Sequence, residues 1–204
     1  MQVKVFSSND PFELHANTYV VSDSKNNAVV IDPSFDDETI INYLKDNELS
    51  LKGILLTHGH FDHIRGVKKL VDEFNVPCYI HRNDKDLLTT PKLNCSDRFS
   101  RKNIVVDIKP QLIEKEGRLS LLEESIDIIE TPYHTEGGIC FYLNNSKVLF
   151  SGDSLFEGGY GRTDLPTSNP KLAQASLAKL MSLDDDVKVY PGHGETTFIK
   201  NERR

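Results

Sequence analysis

The chain has 204 residues, of which 38% are hydrophobic and 27% charged, and a formal net charge of −7 with histidines counted as neutral. Those proportions are ordinary for a soluble protein, and the length suits one domain (residues 1–204) with a well-buried core. No run approaches the ~20 apolar residues of a membrane span, and the only terminal basic pair, Arg203-Arg204, reads as a solvated end, so neither a membrane nor a nucleic acid is expected as a partner.

Met1-Gln2-Val3-Lys4-Val5-Phe6 alternates as a first strand would and lacks the apolar core of a signal segment. Strands follow at about residues 18–21 and 28–31, with Asn26-Asn27 as the hairpin turn between them. Residues 36–47 place Ile40, Ile41 and Leu44 on one face of a helix that Asp36 or Asp37 caps. Gly53-Ile54-Leu55-Leu56 is a buried strand, residues 64–74 a helix, and residues 77–80 another strand. Residues 83–103 are polar, contain Pro91 and Asn94, and predict a short helix followed by a mobile excursion. About four strands fill residues 117–150. A helix over 169–181 carries Pro170 in its first turn and Ala173, Leu177 and Leu180 on its apolar face; a strand over 187–190 comes last.

No repeat or linker divides the chain, and its two halves read as two sheets, each with its own helices. Packing their apolar faces together gives an α/β (α+β) fold, a four-layer helix–sheet–sheet–helix sandwich. Three cysteines cannot all pair with one another, and none has a metal-binding spacing. Cys78 and Cys140 fall in apolar strand patterns as inert thiols, and Cys95 falls in a polar loop where exposure is expected. A reducing cytoplasm suits this inventory.

The chemistry concentrates at strand ends. Thr57-His58-Gly59-His60-Phe61-Asp62-His63 follows the strand over 53–56 and puts four possible metal ligands within six residues. His134 follows the break Thr131-Pro132; Asp153 follows the strand Lys147-Val148-Leu149-Phe150; His193 follows Val187-Lys188-Val189-Tyr190. Each lies just past the carboxyl end of a strand, where loops of layered α/β proteins gather functional groups. Seven such convergent groups are enough for two metal ions. His15 and His81 match no ligand motif.

In their order, the His-x-His-x-Asp-His run, Thr131-Pro132-Tyr133-His134-Thr135, Ser151-Gly152-Asp153-Ser154 and Pro191-Gly192-His193-Gly194 resemble the metallo-β-lactamase superfamily. The stretch from Leu149 to Phe156, with Gly159-Tyr160-Gly161-Arg162-Thr163-Asp164, resembles its glyoxalase II branch, the hydroxyacylglutathione hydrolases. The resemblance covers roughly residues 12–196 and implies the same sandwich fold. It implies that His58, His60 and His134 hold one ion, that Asp62, His63 and His193 hold a second, and that Asp153 bridges them. Two divalent ions are then expected, zinc first, with iron or manganese as alternatives. They would share a hydroxide that attacks the carbonyl of a small acyl thioester, of the glutathione type first, with another ester or a lactone as the alternative. Asp62 and Asp153 are the expected catalytic carboxylates, with Asp62 orienting the hydroxide. Thr57 and Thr135 read equally as supports for the imidazoles or as turn caps. The resemblance makes Arg162 a contact for a substrate carboxylate.

Three departures bear on substrate. The helical C-terminal extension of full-length glyoxalase II proteins has no counterpart in the eleven residues after His193. The tyrosine usual near the last histidine is replaced in His193-Gly194-Glu195-Thr196. Tyr133 stands where a glycine usually precedes the histidine, which places its ring beside the metals as a candidate substrate contact. A second enzyme class shares the fold and much of the 153–162 pattern: persulfide dioxygenases use one iron, here through His58, His134 and Asp153. A third reading, a non-catalytic metal-binding or interaction domain, is disfavoured by a complete seven-ligand set, since a structural zinc needs only four closed ligands.

Overall fold

The computed structural model describes residues 1–8, 10 and 12–203. Its first sheet holds six strands in chain order: β1 (Gln2–Phe6), β2 (Thr18–Ser22), β3 (Asn27–Ile31), β4 (Ser50–Leu55), β5 (Cys78–His81) and β6 (Gln111–Ile113). The β1–β2 and β2–β3 pairs are antiparallel, and the next three pairs are parallel. The second sheet runs β7 (Gly117–Leu119), β8 (Ile126–Glu130), β9 (Ile139–Leu143), β10 (Val148–Gly152), β11 (Lys188–Pro191) and β12 (Thr197–Phe198). Only its β10–β11 pair is parallel.

Period-two alternation decides which side chains meet. Tyr19, Val21, Val29, Ile31 and Leu55 leave the first sheet on one face and pack against Ile126, Ile128, Ile139, Phe141 and Phe150 of the second. Their neighbours Val20, Val30 and Ile54 face the other way, onto α1 (Thr39–Asp46) and α3 (Val67–Phe74) through Ile40, Ile41, Leu44, Val67 and Leu70. Behind the second sheet, Cys140, Tyr142, Leu149 and Val189 meet Leu180 of α5 (Ala173–Met181) and Ile199 of α6 (Ile199–Glu202). The four-layer sandwich expected from the pattern is therefore the observed one. No described helix is long and apolar enough to cross a membrane.

Several local expectations need correction. The helix expected over 64–74 is broken: α2 (Phe61–Ile64) ends before Arg65, and α3 starts after Gly66. A Cβ at Gly66 would lie 2.1 Å from the Phe35 carbonyl oxygen, so two segments meet where only glycine fits. The first helix begins at Thr39, and Asp37 Oδ1 accepts from the Thr39 N–H without forming the cap proper. The turn before β3 is centred one residue early: Asn26 takes the left-handed conformation and Asn27 already belongs to the strand. The excursion expected after residue 83 is instead anchored. It forms a 3₁₀ turn at Arg82–Leu88 and α4 (Ser96–Phe99), and Leu87, Leu88, Asn94 and Ser96 are buried. Cys95 is buried too, contrary to its expected exposure, because the Asn94 side chain beside it folds inward to donate to the Leu87 and Ile104 carbonyls. At the carboxyl end Arg203 is exposed but tied to the surface, donating to the Met181 carbonyl and pairing with Asp185; Arg204 lies outside the described residues.

Gly66→Ala tests the close approach. It is expected to lower stability by about 1–3 kcal/mol, the cost of forcing extra volume into a packed site, with an unchanged slope in urea unfolding.

Candidate metal centre

Four loops deliver the site, each just beyond a strand: β4 into α2, β8 into β9, β10 onward, and β11 onward. Backbone hydrogen bonds hold these loops together, from Ile139 N to Thr57 O (2.9 Å) between the sheets and from Gly192 N to Gly152 O (2.8 Å) within the second. Gly152 has φ +50°, and a Cβ there would stand 2.2 Å from Thr57 Oγ1, so a glycine lets the loops of the two sheets touch.

The seven expected ligands converge. His58 Nε2 lies 3.1 Å from His60 Nδ1, which lies 3.0 Å from His134 Nε2. Zinc–nitrogen bonds of 2.0–2.1 Å in a tetrahedron imply ligand separations of roughly 3.3 Å, so these three nitrogens are spaced as ligands of one ion. Asp62, His63 and His193 form a second group, with His193 Nε2 3.1 Å from Asp62 Oδ2. Asp153 stands between the groups. Its Oδ2 is 3.4 Å from His134 Nε2, and its Oδ1 is 3.3 Å from His63 Nε2 and 3.6 Å from His193 Nε2. His63 Nε2 and Asp153 Oδ1 are buried without a hydrogen-bond partner among the described residues, as is His60 Nε2. Two buried groups left open toward each other, amid imidazoles and carboxylates, fit divalent cations.

Three of the imidazoles are oriented by what their other nitrogen touches. His63 Nδ1 lies 2.9 Å from Asp32 Oδ2, and His134 Nδ1 lies 2.8 Å from the Arg162 carbonyl. His58 Nδ1 lies 3.1 Å from Thr57 Oγ1, which itself donates to Asp32 Oδ2 at 2.6 Å. Thr57 is thus a support for an imidazole. Thr135 acts at one remove: its hydroxyl donates to Asp84, which also accepts from Gly59 N and Gly137 N and so ties the His58–His60 loop to the His134 loop. Burial pushes the Asp84 carboxyl up despite those three donors.

Sequence reasoning missed Asp32 and Asp84. Asp32 follows β3 immediately and shares the strand-end signature of the ligands, so the same rule would have found it. Asp84, three residues past β5, was not set apart by position; its role comes from partners on loops far away in sequence. Arg162, an expected substrate contact, lies at the groove over the cluster with its guanidinium held by Asp164 at 2.6 and 2.7 Å. Tyr133, also expected to touch substrate, does not reach the groove. It is fully buried, its hydroxyl donates to the Ser154 carbonyl and accepts from Gly161 N, and it props the loop that follows Asp153. His15 stacks on Phe35 beside Ser34, and His81 pairs with Glu130; neither joins the cluster.

The two ligand groups differ electrostatically. Burial, then His63 and His60, holds His58 well below the ordinary histidine value, and burial with His134 brings His60 down to about 3. Burial also opposes charge on His63 and His193, but facing carboxylates, Asp153 foremost, outweigh it and raise both. The same contacts lower Asp62 and hold Asp153 well below the carboxylate range, although burial alone would raise each. Without metal, His58 and His60 are already in ligand form, whereas His63 and His193 favour protons that a cation must displace.

The family model that matches the chain is the metallo-beta-lactamase superfamily, over residues 11–193. The sequence is 36% identical over 191 residues to the hydroxyacylglutathione hydrolase GloC of Haemophilus influenzae, covering 92% of this chain and 90% of that protein. Its structure is similar to the BLEG-1 B3 metallo-beta-lactamase (TM-score 0.91, 36% identity, 98% of this chain and 96% of that one). It is similar also to TTHA1623 in a di-iron-bound form (TM-score 0.87, 31% identity, 100% and 98% covered). Fold and site define a metallo-hydrolase. The chain belongs to the metallo-β-lactamase superfamily.

Asp32→Asn, which weakens the acceptor under His63 and Thr57, is expected to lower metal affinity by roughly 10–100-fold in competition with a chelator. Proton competition sets the pH dependence. Since His63 and His193 must lose protons to bind, lowering the pH through their raised titration range is expected to release the second ion before the first, by elemental analysis after dialysis at stepped pH.

Proposed function

We propose that the chain hydrolyses small acyl thioesters of the hydroxyacylglutathione kind, using two divalent ions, zinc first and iron or manganese as alternatives. One observation carries the reading: Asp153 turns one carboxylate oxygen to each ligand group. In this proposal His58, His60 and His134 hold one ion, Asp62, His63 and His193 the other, and Asp153 is shared. A pair of ions there would supply hydroxide at neutral pH, since coordination lowers the pKa of water from 15.7 to roughly 7, and would polarise an acyl oxygen.

The chain's own groups do the rest. Asp62 lines the groove, and as an ionised carboxylate it can accept a hydrogen bond from the attacking water and orient it. A thiolate leaving group, with a free-thiol pKa near 8.5, needs little acid assistance, so no further acid is required. The Arg162–Asp164 pair is exposed, and such pairs contribute about 0–1 kcal/mol, so a substrate carboxylate could take the place of Asp164 at small cost. GloC, similar over nearly the whole chain, acts as a hydroxyacylglutathione hydrolase by its name, which supports this substrate class. Three buried free thiols suit a reducing cytoplasm.

The test pairs metal analysis with two assays, hydrolysis of S-lactoylglutathione and oxygen uptake on a persulfide. Two ions per chain and hydrolysis without oxygen uptake are expected. Asp153→Ala should cost more than the ~10–100-fold of losing a ligand's support, with loss of metal. One tightly bound iron with oxygen consumption would replace this reading with a mononuclear iron dioxygenase.

A further inference from the structure

The groove over the cluster holds about 550 Å³ and combines a polar floor with apolar walls. His60, Asp62, His134, Asp153 and His193 form the floor, while Leu14, Phe99, Phe156, Tyr160 and Leu165 stand around it. We infer that these walls seat an apolar side chain on the acyl group, so that the preferred thioesters carry bulky apolar acyl groups rather than the smallest ones. The inference rests on the thioester-hydrolase reading and names its substrate class.

Exposure is the first ground. Leu14 (50%), Phe99 (49%) and Tyr160 (61%) are among the most exposed large apolar side chains of the described residues, and all three face this one groove. Apolar side chains scattered singly over a surface need no explanation, whereas several gathered around one opening mark a binding site.

Rigidity is the second ground. The walls come from three segments, each fixed by its own polar contact. Arg65, itself buried, donates to the Leu14 carbonyl (3.3 Å). Asn94 Oδ1 accepts from Ser96 N (3.0 Å) and so fixes the start of α4, which ends in Phe99. Gly161 N donates to the buried Tyr133 hydroxyl (3.2 Å), and Phe156 N to Gly159 O (2.9 Å), which hold the loop carrying Phe156 and Tyr160. Walls fixed before a ligand arrives lose little entropy when it binds.

Charge is the third ground. Among the described residues that line the groove, Arg162 is the one lysine or arginine, and Asp164 already holds it through two hydrogen bonds. An anionic tail can only exchange with Asp164, which gains little, so discrimination falls to the apolar walls.

The metal-loaded protein is assayed on S-lactoyl-, S-2-hydroxyhexanoyl- and S-mandeloylglutathione, which share one thiol and differ in the acyl side chain. Binding of S-methyl-, S-butyl- and S-hexylglutathione, which cannot be hydrolysed, is followed by calorimetry. Full burial of a methylene corresponds to about three- to fourfold, so kcat/KM and affinity are both expected to rise by roughly that factor per added methylene until the groove is filled. Phe99→Ala and Tyr160→Ala, each checked for folding by thermal unfolding, should flatten both series toward a ratio of one. If S-lactoylglutathione is cleaved best, or if the ratios persist in both folded variants, the inference is overturned and the hydrolase reading stands. If no glutathione thioester is cleaved, the hydrolase reading falls, and the binding series alone decides: affinity rising with alkyl length supports the apolar site, and flat affinity overturns it.

Discussion

Everything at the site depends on a buried carboxylate that touches none of its open face. Asp32 is 2% exposed, and taking an ionised carboxylate out of water costs several kcal/mol unless its lone pairs are filled. They are filled by Thr57 N and Thr57 Oγ1, and by His63 through Nδ1. One acceptor thereby turns His63 toward the second ligand group and, through the Thr57 hydroxyl, sets the ring of His58 in the first. Asp32 adopts φ +49°, a conformation few non-glycine residues take, and the hydrogen bonds it accepts hold it there.

The sandwich makes that anchor useful. Parallel pairing of β3 with β4 and of β10 with β11 brings the carboxyl ends of these strands to one edge of the molecule. The inter-sheet core of Tyr19, Ile31, Leu55, Phe141 and Phe150 fixes the distance between the two sheets. Asp84 then works as a clamp across that edge, taking donors from Gly59 on one loop and from Thr135 and Gly137 on another. A ligand set drawn from both sheets is only as rigid as such cross-links, because each loop alone is tethered at its strand.

The resulting centre is asymmetric. Burial and neighbouring imidazoles keep His58 and His60 neutral in the first group, whereas carboxylates surround His63 and His193 and favour their protonated forms. Above this charged floor the walls turn apolar, and Arg162 beside them is already paired with Asp164. Polar groups thus gather on the floor of the groove, and apolar side chains gather around its opening.

The sequence by itself determined most of the elements and the ligand candidates, but not the short strands β6 and β12 or the closing helix α6. Strand alternation depends on which face is buried, and His58, His60, Asp62, His63, His134, Asp153 and His193 stand out because each follows a strand directly. Those signals are local, so they survive without coordinates. The tertiary structure alone decided the break at Gly66, where Gly66 N donates to the Pro33 carbonyl and the Asp62 carbonyl accepts from Ala16 N, in place of the helical bond between them. It alone buried Cys95 and Tyr133, whose surroundings come from residues that fold back on them. It alone made Asp84 a clamp, since its donors lie 25, 51 and 53 residues away. Long-range partners leave no periodicity in a single chain, and for that reason the ligands were legible while the groups that hold them were not.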